Sequence, residues 1–303
     1  MDHQDIITNG IRLHVAQEGP TDGRLLILLH GFPEFWYGWR KQIPYFAAAG
    51  YRVWAPDQRG YNLSDKPRGV AAYNLDALAA DVVGLIDAAG QEKAFLVGHD
   101  WGGAAAWWVA TQYPQRLERL VVMNAPYGPV MTKSLSRDWA QRRRSWYMFF
   151  FQLPWLPELV SRRRNWRMLT GMLLSSSIRG TFHKADLEEY RQAWSQPGAY
   201  AGMLSWYRAM MRSRPTPPAA QTTRDRVPHR QPIAVPTLLL WGAQDRFLGR
   251  ELAEASIKRC SQGQLVFLED ATHWLHHEQP ERVNTLIDEF LSSAGDSARS
   301  STH

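Results

Sequence analysis

The chain has 303 residues, a formal net charge of +6, 45% hydrophobic residues, 14 tryptophans and a single cysteine, Cys260. That length suits one sizeable α/β domain with an insertion, and the apolar content excludes disorder over most of it. One cysteine excludes an intrachain disulfide and a zinc cluster of cysteines. The N-terminus lacks the basic start and apolar stretch of a signal peptide and no window approaches a membrane span, so a cytoplasmic protein is expected. The positive excess gathers in Arg142-Arg143-Arg144, in Arg162-Arg163-Arg164 with Arg167, and in Arg208, Arg212 and Arg214. No nucleic-acid motif accompanies these clusters, and they read as solvated helix faces whose stems cover apolar surface.

In chain order, Ile11–Val15 alternates like a strand after the turn signal Asn9-Gly10. Leu25–Leu29 is a continuous apolar run, the pattern of a buried parallel strand. It ends in His30-Gly31-Phe32-Pro33-Glu34-Phe35-Trp36, which taken alone is an ordinary Gly-Pro loop. Tyr51–Ala55 is the next strand, followed by a polar loop through Ser64. Asn74 caps a helix running to about Ala89, with Leu75, Leu78, Val82, Leu85 and Ile86 on one face.

The next strand, from Phe95, runs into Gly98-His99-Asp100-Trp101-Gly102 and an alanine-rich helical segment. This is the G-x-Nu-x-G elbow of the α/β-hydrolases, a tight strand-to-helix turn that exposes one side chain above a sheet. Flanking glycines keep the turn free of crowding. The central residue is Asp100 where esterases carry Ser. A carboxylate is ionised at neutral pH and needs no base before attack; it can displace a leaving group from a saturated carbon, giving an alkyl ester. A His–acid pair must then activate the water that cleaves the ester. The chemistry indicated is epoxide opening or carbon–halogen cleavage. The competing reading is a helix N-cap Asp. Paired with the elbow, the earlier loop gains meaning: the backbone N–H groups of Phe32 and Trp101 are the candidate oxyanion hole.

Leu120–Met123 is another buried strand, ending at Asn124, which cannot carry the charge of a triad acid. From about residue 127 to 231 the strand–helix rhythm stops. That segment is rich in Trp, Tyr, Met and Arg at helical spacing and ends near Pro215-Thr-Pro-Pro218. It is expected to be a helical cap domain inserted in a core formed by 1–126 and 232–303. The core resumes at Val235–Trp241, with Asp245 just beyond the strand. Leu265–Leu268 is the final strand, with His273 shortly after it, and a last helix spans about Pro280–Leu291 before a tail expected to lack order. Asp100, Asp245 and His273 thus follow the α/β-hydrolase order of nucleophile, acid and base. His276 and His277 read as surface groups or supports around the site. His14, His30 and His99 read as structural, and His183 and His229 have no acidic partner at suggestive spacing.

The matches His30-Gly-Phe-Pro-Glu34, Asp57-Gln-Arg-Gly-Tyr61 with Asn62-Leu-Ser64, Gly98-His-Asp-Trp-Gly102, Trp241-Gly-Ala-Gln-Asp245 and His273-Trp274 extend over nearly the whole chain. On them the chain resembles the soluble, bacterial-type epoxide hydrolases of the α/β-hydrolase fold. The resemblance implies a mostly parallel eight-stranded sheet flanked by helices, and two cap tyrosines that donate to the epoxide oxygen. Tyr147 and Tyr207 resemble that pair. A phenol with pKa of about 10 stays protonated at neutral pH yet can protonate the alkoxide formed on ring opening.

The cycle implied is attack by Asp100, proton donation by Tyr147 and Tyr207, and water activation by His273 oriented by Asp245. Its partners are an apolar aryl or alkyl epoxide and water, with no cofactor, metal or nucleic acid, and the protein is expected to be a monomer or homodimer. The rival is haloalkane dehalogenase chemistry, which needs a halide cradle of Trp or Asn N–H donors; Phe32 stands where many such enzymes carry Asn. A non-catalytic ligand receptor is the third reading.

Overall fold

The computed structural model describes residues 1–212 and 231–293. Arg214, Pro215–Pro218, His229 and the tail from residue 294 onward lie outside these.

Eight strands form one sheet: β1 (Asp2–Thr8), β2 (Ile11–Glu18), β3 (Leu25–Leu29), β4 (Arg52–Pro56), β5 (Ala94–His99), β6 (Leu117–Met123), β7 (Thr237–Gly242) and β8 (Gly263–Leu268). Their spatial order is β1-β2-β4-β3-β5-β6-β7-β8. The pairs β1/β2 and β2/β4 are antiparallel and the rest parallel, the mostly parallel eight-stranded sheet expected. β1 has no expectation in the sequence, because Asp2-His-Gln-Asp is polar and gains its pairing from β2.

β3 and the runs Phe95–Val97, Leu120–Met123 and Leu238–Leu240 of its neighbours are apolar because both faces are covered. Leu25, Ile27, Leu29, Leu96, Val122 and Leu239 belong to one buried cluster. The alternate residues Leu26, Leu28, Val97, Val121 and Leu240 belong to a second. In chain order the helices before β7 are α1 (Gln42–Ala48), α2 (Leu75–Ala88), α3 (Trp101–Gln112), α4 (Gly128–Arg137), α5 (Trp139–Arg144), α6 (Trp146–Phe150), α7 (Leu156–Ser176), α8 (Lys184–Ser195) and α9 (Ala199–Arg212). After β7 come α10 (Arg250–Ile257), α11 (Leu275–Glu278) and α12 (Pro280–Ser292). α2, α3 and α10 cover the first face, and α1 and α12 the second. As expected, Asn74 caps α2, its side chain accepting from the Ala77 N–H at 2.8 Å.

α4 to α9 run between β6 and β7 and rest on the loops that leave the carboxyl ends of β3, β4, β7 and β8. Trp194 donates to Pro33 O at 2.6 Å, Trp206 to Arg59 O at 3.0 Å, Gln141 to Phe247 O at 2.7 Å, and Trp274 to Ser176 Oγ at 2.9 Å. Each indole or amide is an amphipathic group whose polar end finds a main-chain or hydroxyl partner inside an otherwise apolar seam. At Gly60 (φ +88) the approach is so close that a Cβ would lie 3.1 Å from Gly202 Cα, so the motif glycine is required by packing as well as by backbone angle.

Candidate active site

β5 ends at His99, and Asp100 makes the turn into α3 with φ 49° and ψ −118°, outside the regions favoured by a non-glycine residue. Such a conformation costs on the order of 1–3 kcal/mol and persists where its surroundings over-determine it. Here they do: a Cβ on Gly98 would lie 2.4 Å from Gly102 O, and one on Gly102 would lie 2.1 Å from Leu29 O. The elbow glycines are therefore fixed by contact between β5, α3 and β3. The turn leaves the Asp100 side chain partly exposed at the head of α3 and clear of the N-cap role: it accepts no hydrogen bond from its own helix.

One carboxylate oxygen, Oδ1, accepts from the Phe32 backbone N–H at 2.8 Å. Trp101 is the first residue of α3, so its N–H is among the first-turn amides that lack an intrahelical acceptor. The other oxygen, Oδ2, lies 3.6 Å from Nε2 of His273. Nδ1 of His273 is 2.7 Å from Asp245 Oδ2, which makes it the donor and leaves Nε2 toward Asp100. Asp245 is held by three further donors: the N–H groups of Phe247 (2.7 Å) and Leu248 (3.1 Å) to Oδ1, and Asn124 Nδ2 (2.5 Å) to Oδ2. Asn124 also accepts from Gly242 N–H at 2.9 Å. The end of β6 therefore carries no acid, as its sequence indicates, but it orients the acid that follows β7. Burial, the largest influence on His273, works against its charge, yet the Asp245 and Asp100 carboxylates together raise its pKa to about 9.

Tyr147 on α6 and Tyr207 on α9 face one another with ring centroids 6.0 Å apart. Tyr207 stands edge-on to Trp101 at 4.9 Å and to Phe32 at 5.1 Å, directly over the elbow and the β3 loop. Tyr147 packs on Phe247 at 5.6 Å, and Phe247 in turn on His273 at 5.2 Å. Burial raises both phenols well above their ordinary pKa, and the nearby Asp100 charge adds to it. Both therefore hold their protons at any physiological pH. The five side chains Asp100, Asp245, His273, Tyr147 and Tyr207 are brought together around one point. Phe247 escapes the sequence reading because it has no titratable group.

Behind His273 lies a polar cluster that the sequence reading also leaves without a role. Glu34 is fully buried and receives His277 Nε2–H and the Tyr190 hydroxyl at 2.7 Å each on Oε1. Its Oε2 lies 3.3 Å from His99 Nδ1 and 3.4 Å from His276 Nε2. Burial alone would push the Glu34 carboxyl up, but His277, His276 and His99 hold it well below the usual carboxylate range. His276 and His277 are thus buried, and the surface alternative for them is corrected; burial lowers the pKa of both. Ligand atoms of Glu34, His276 and His277 lie within 4.8 Å of one another, a spacing that would admit a cation. Arg40 NH1 lies 3.2 Å from His277 Nδ1, and a guanidinium can only donate. The His277 proton is therefore on Nε2, pointed at Glu34, and occupies the direction a metal would need.

His30 is structural, as expected: its Nε2 accepts from Gln58 N–H at 3.1 Å, and burial lowers its pKa to about 4. Asp57 ties the β4 loop to Trp36 N–H (3.1 Å) and Asn62 (2.8 Å), which explains the Asp57–Ser64 motif as scaffolding under the site. A separate surface cavity of about 400 Å³, lined by Arg40, Lys41, Arg179, His183, Asp186 and His277 among others, does not include any of the five convergent side chains.

Comparison with known proteins gives the family. Residues 24–280 match the family model described as alpha/beta hydrolase fold. The chain is 45% identical over 290 residues to the AB hydrolase superfamily protein YfhM of Bacillus subtilis (strain 168), covering 96% of this chain and 98% of that protein. It is 39% identical to Epoxide hydrolase 4 of Homo sapiens, covering 93% and 76% of the two chains. A crystal structure of Bacillus megaterium epoxide hydrolase in complex with an inhibitor superposes with a TM-score of 0.83 at 30% identity, over 95% of this chain and all of that one. By family model, relatives and fold, this chain belongs to the epoxide hydrolases of the α/β-hydrolase fold family.

Proposed function

We propose that the protein hydrolyses an epoxide to a vicinal diol through a covalent ester on Asp100. The observation that carries this is the division of labour between the two Asp100 oxygens: Oδ1 is engaged by the Phe32 N–H and Oδ2 is free toward His273. Oδ2 attacks an epoxide carbon, the carbon–oxygen bond of the ring breaks, and the proton of Tyr147 or Tyr207 passes to the departing oxygen. With two phenols on one side and a carboxylate on the other, the ring is polarised before attack and charge is stabilised as it develops.

The raised pKa of His273 makes it an imidazolium in the resting enzyme. Ester formation removes the negative charge of Asp100, one of the charges that hold this proton. The proton returns to the tyrosinate, and neutral His273 becomes a base. It then takes a proton from water as the hydroxide adds to the Asp100 carboxyl carbon, with Phe32 and Trp101 N–H groups receiving the oxyanion. Collapse expels the diol, and protons and charges return to their starting positions. Neither metal nor organic cofactor enters the cycle.

Residues 127–231 act in this reading as a cap domain on a core of 1–126 and 232–303, supplying the tyrosines. Apolar aryl or alkyl epoxides are the substrate class, supported by the rings of Phe32, Phe151 and Phe247 around Tyr147 and Tyr207. No helix among the described residues is long and apolar enough to cross a membrane; the proposal extends to a cytoplasmic enzyme acting as a monomer or homodimer. The test is diol formation from an aryl epoxide beside halide release from a bromoalkane, with wild type and Asp100→Ala. Diol from wild type alone supports the reading. Halide without diol would transfer the assignment to dehalogenation and reduce both tyrosines to packing groups.

A further inference from the structure

Between Trp139 and Arg167 the chain carries seven arginines against a single acidic residue, Glu158, an excess equal to the net charge of the whole protein. All seven arginines are exposed, and those at 143, 144 and 162–164 have no carboxylate partner among the described residues. The one glutamate is already paired with Arg208 at 2.7 Å. Interleaved with these charges stand Trp139 and Trp155, each 69% exposed, Trp146 at 59%, and Phe149, Leu153 and Leu159 at 43–47%. Tryptophan left so open to water is costly, and three of them within one short stretch ask for an explanation.

The backbone holds these side chains outward. On α6, Met148 is buried and the Tyr147 ring packs against Tyr207 and Phe247, so the helix spends its inward face on the site while Trp146 and Phe149 point away. The connection from α6 to α7 is tied down along α9: Arg208 donates to Phe151 O and Leu153 O, and Gln152 donates to Tyr207 O. Trp155 is fixed there with φ 50°, a strained backbone angle for a bulky residue, and Arg164 and Asn165 repeat the left-handed conformation where α7 breaks. Along the chain Trp139, Trp146, Phe149, Leu153, Trp155 and Leu159 stand among the arginines, no two of them adjacent. A rigid protein partner would ask for a continuous apolar core with charges at the rim. A fluid interface that is apolar beneath and anionic above accepts scattered aromatic rings and lets each arginine reach a phosphate.

We propose that this face of α5, α6 and the start of α7 docks the protein on the surface of an anionic phospholipid bilayer, as a peripheral contact. Trp139, Trp146 and Trp155 enter the headgroup boundary, and Arg142–Arg144 and Arg162–Arg164 pair with lipid phosphates. The docked helix α6 is the one that carries Tyr147, so the contact would bring the site against the phase in which apolar molecules concentrate. The docking itself stands or falls independently of the proposed reaction.

The experiment is flotation of the full chain with phosphatidylcholine vesicles, with and without phosphatidylglycerol, at low and high salt. Binding is expected only with phosphatidylglycerol, and to weaken with salt. Replacing Arg142, Arg143 and Arg144 together by Ser is expected to weaken it on the order of 100-fold, roughly fivefold for each arginine removed. Trp139→Ser with Trp155→Ser is expected to weaken it on the order of tenfold. Both variants should keep wild-type circular dichroism and oligomeric state, which separates lost docking from lost folding. Equal binding to neutral vesicles, or binding indifferent to the arginines, overturns the proposal. So does absence of binding to either vesicle; if wild type is then a dimer that Trp155→Ser dissociates, the occupant is a second copy.

Discussion

Nε2 of His273 lies 3.6 Å from Oδ2 of Asp100, beyond hydrogen-bond range and with no room for a water on the line between them. In the resting protein this is a charge contact between imidazolium and carboxylate. In the proposed cycle a water is activated only after Asp100 is esterified and the charge attraction is gone. Removing the base while keeping a side chain of similar reach should therefore trap the ester. His273→Gln treated with an aryl epoxide is expected to gain the mass of one substrate on the peptide carrying Asp100. An unmodified protein that still forms diol would sink the covalent mechanism and leave direct attack by water.

The same assignment fixes the fate of an oxygen atom. Water adds to the Asp100 carboxyl carbon, so the first diol formed takes its new oxygen from the enzyme. With enzyme in excess over substrate in ¹⁸O-water, the diol of a single turnover should be unlabelled and Asp100 should carry the label. Label in the diol at the first turnover excludes the ester.

Tyr147 and Tyr207 are not equivalent. Tyr207 is buried against Trp101 and Phe32, whereas Tyr147 is half-buried on a short helix that faces solvent on its other side. Losing one positioned donor should lower kcat on the order of 100-fold in either Phe variant. The double variant should lose far more than either single one, because the remaining phenol carries the alkoxide in each. Tyr207→Phe keeps its aromatic contacts and should unfold at the wild-type temperature, so its loss is chemical. Wild-type kcat in both single variants would return the tyrosines to packing.

His273 also predicts how stability changes with pH. Its folded pKa, about 9, is above the ordinary 6.5 of the unfolded chain. The stabilisation is then fully present below about 6.5 and is lost as pH rises through about 9. His30, His276 and His277, with lowered values, act on the acid side, and Asp57, raised to about 7, changes charge mostly below the same window. Urea unfolding should show wild type losing stability between about pH 7 and 9.5, with Asp245→Asn flat across that interval. A parallel decline in both proteins would rule out the His273–Asp245 pair as the cause.

Much of this site is legible in the sequence because each of its charged members leaves a strand end. β3, β5, β7 and β8 each contain an apolar run, Leu25–Leu29, Phe95–Val97, Leu238–Trp241 and Leu265–Leu268, and Asp100, Asp245 and His273 follow the last three within a few residues, as the backbone donor Phe32 follows the first. Asn124 is legible only by what it lacks; that it donates to Asp245 depends on β6 and β7 being neighbours. The pairing of Tyr147 with Tyr207 is invisible to periodicity and comes from flanking motifs. β1 is hidden for a different reason: its polar residues become a strand through main-chain pairing with β2. Glu34 lies in the loop after β3 and its imidazoles on β5 and α11, far apart in the chain, and no spacing rule could join them.

That cluster yields the last prediction. Glu34 is a buried carboxylate whose charge is supported by His277, Tyr190 and the neighbouring imidazoles. Its carboxyl is held well below the ordinary range, so its stabilisation exists above about pH 4.5 and is lost as pH falls. Glu34→Gln keeps the shape but removes the negative charge to which His277 Nε2–H and the Tyr190 hydroxyl donate. Breaking such a network should cost about 2–4 kcal/mol at neutral pH. The deficit relative to wild type should shrink as the medium is acidified, because wild type alone loses the Glu34 contribution there. The cluster touches the site through His99, whose Nε2 lies 2.8 Å from the backbone oxygen of His273 and whose ring lies 4.7 Å from the His273 ring. A variant that is destabilised by this amount and also deacylates more slowly would show that Glu34 positions His273. A variant equal to wild type in unfolding by urea at every pH would mean that the histidines satisfy one another without the carboxylate.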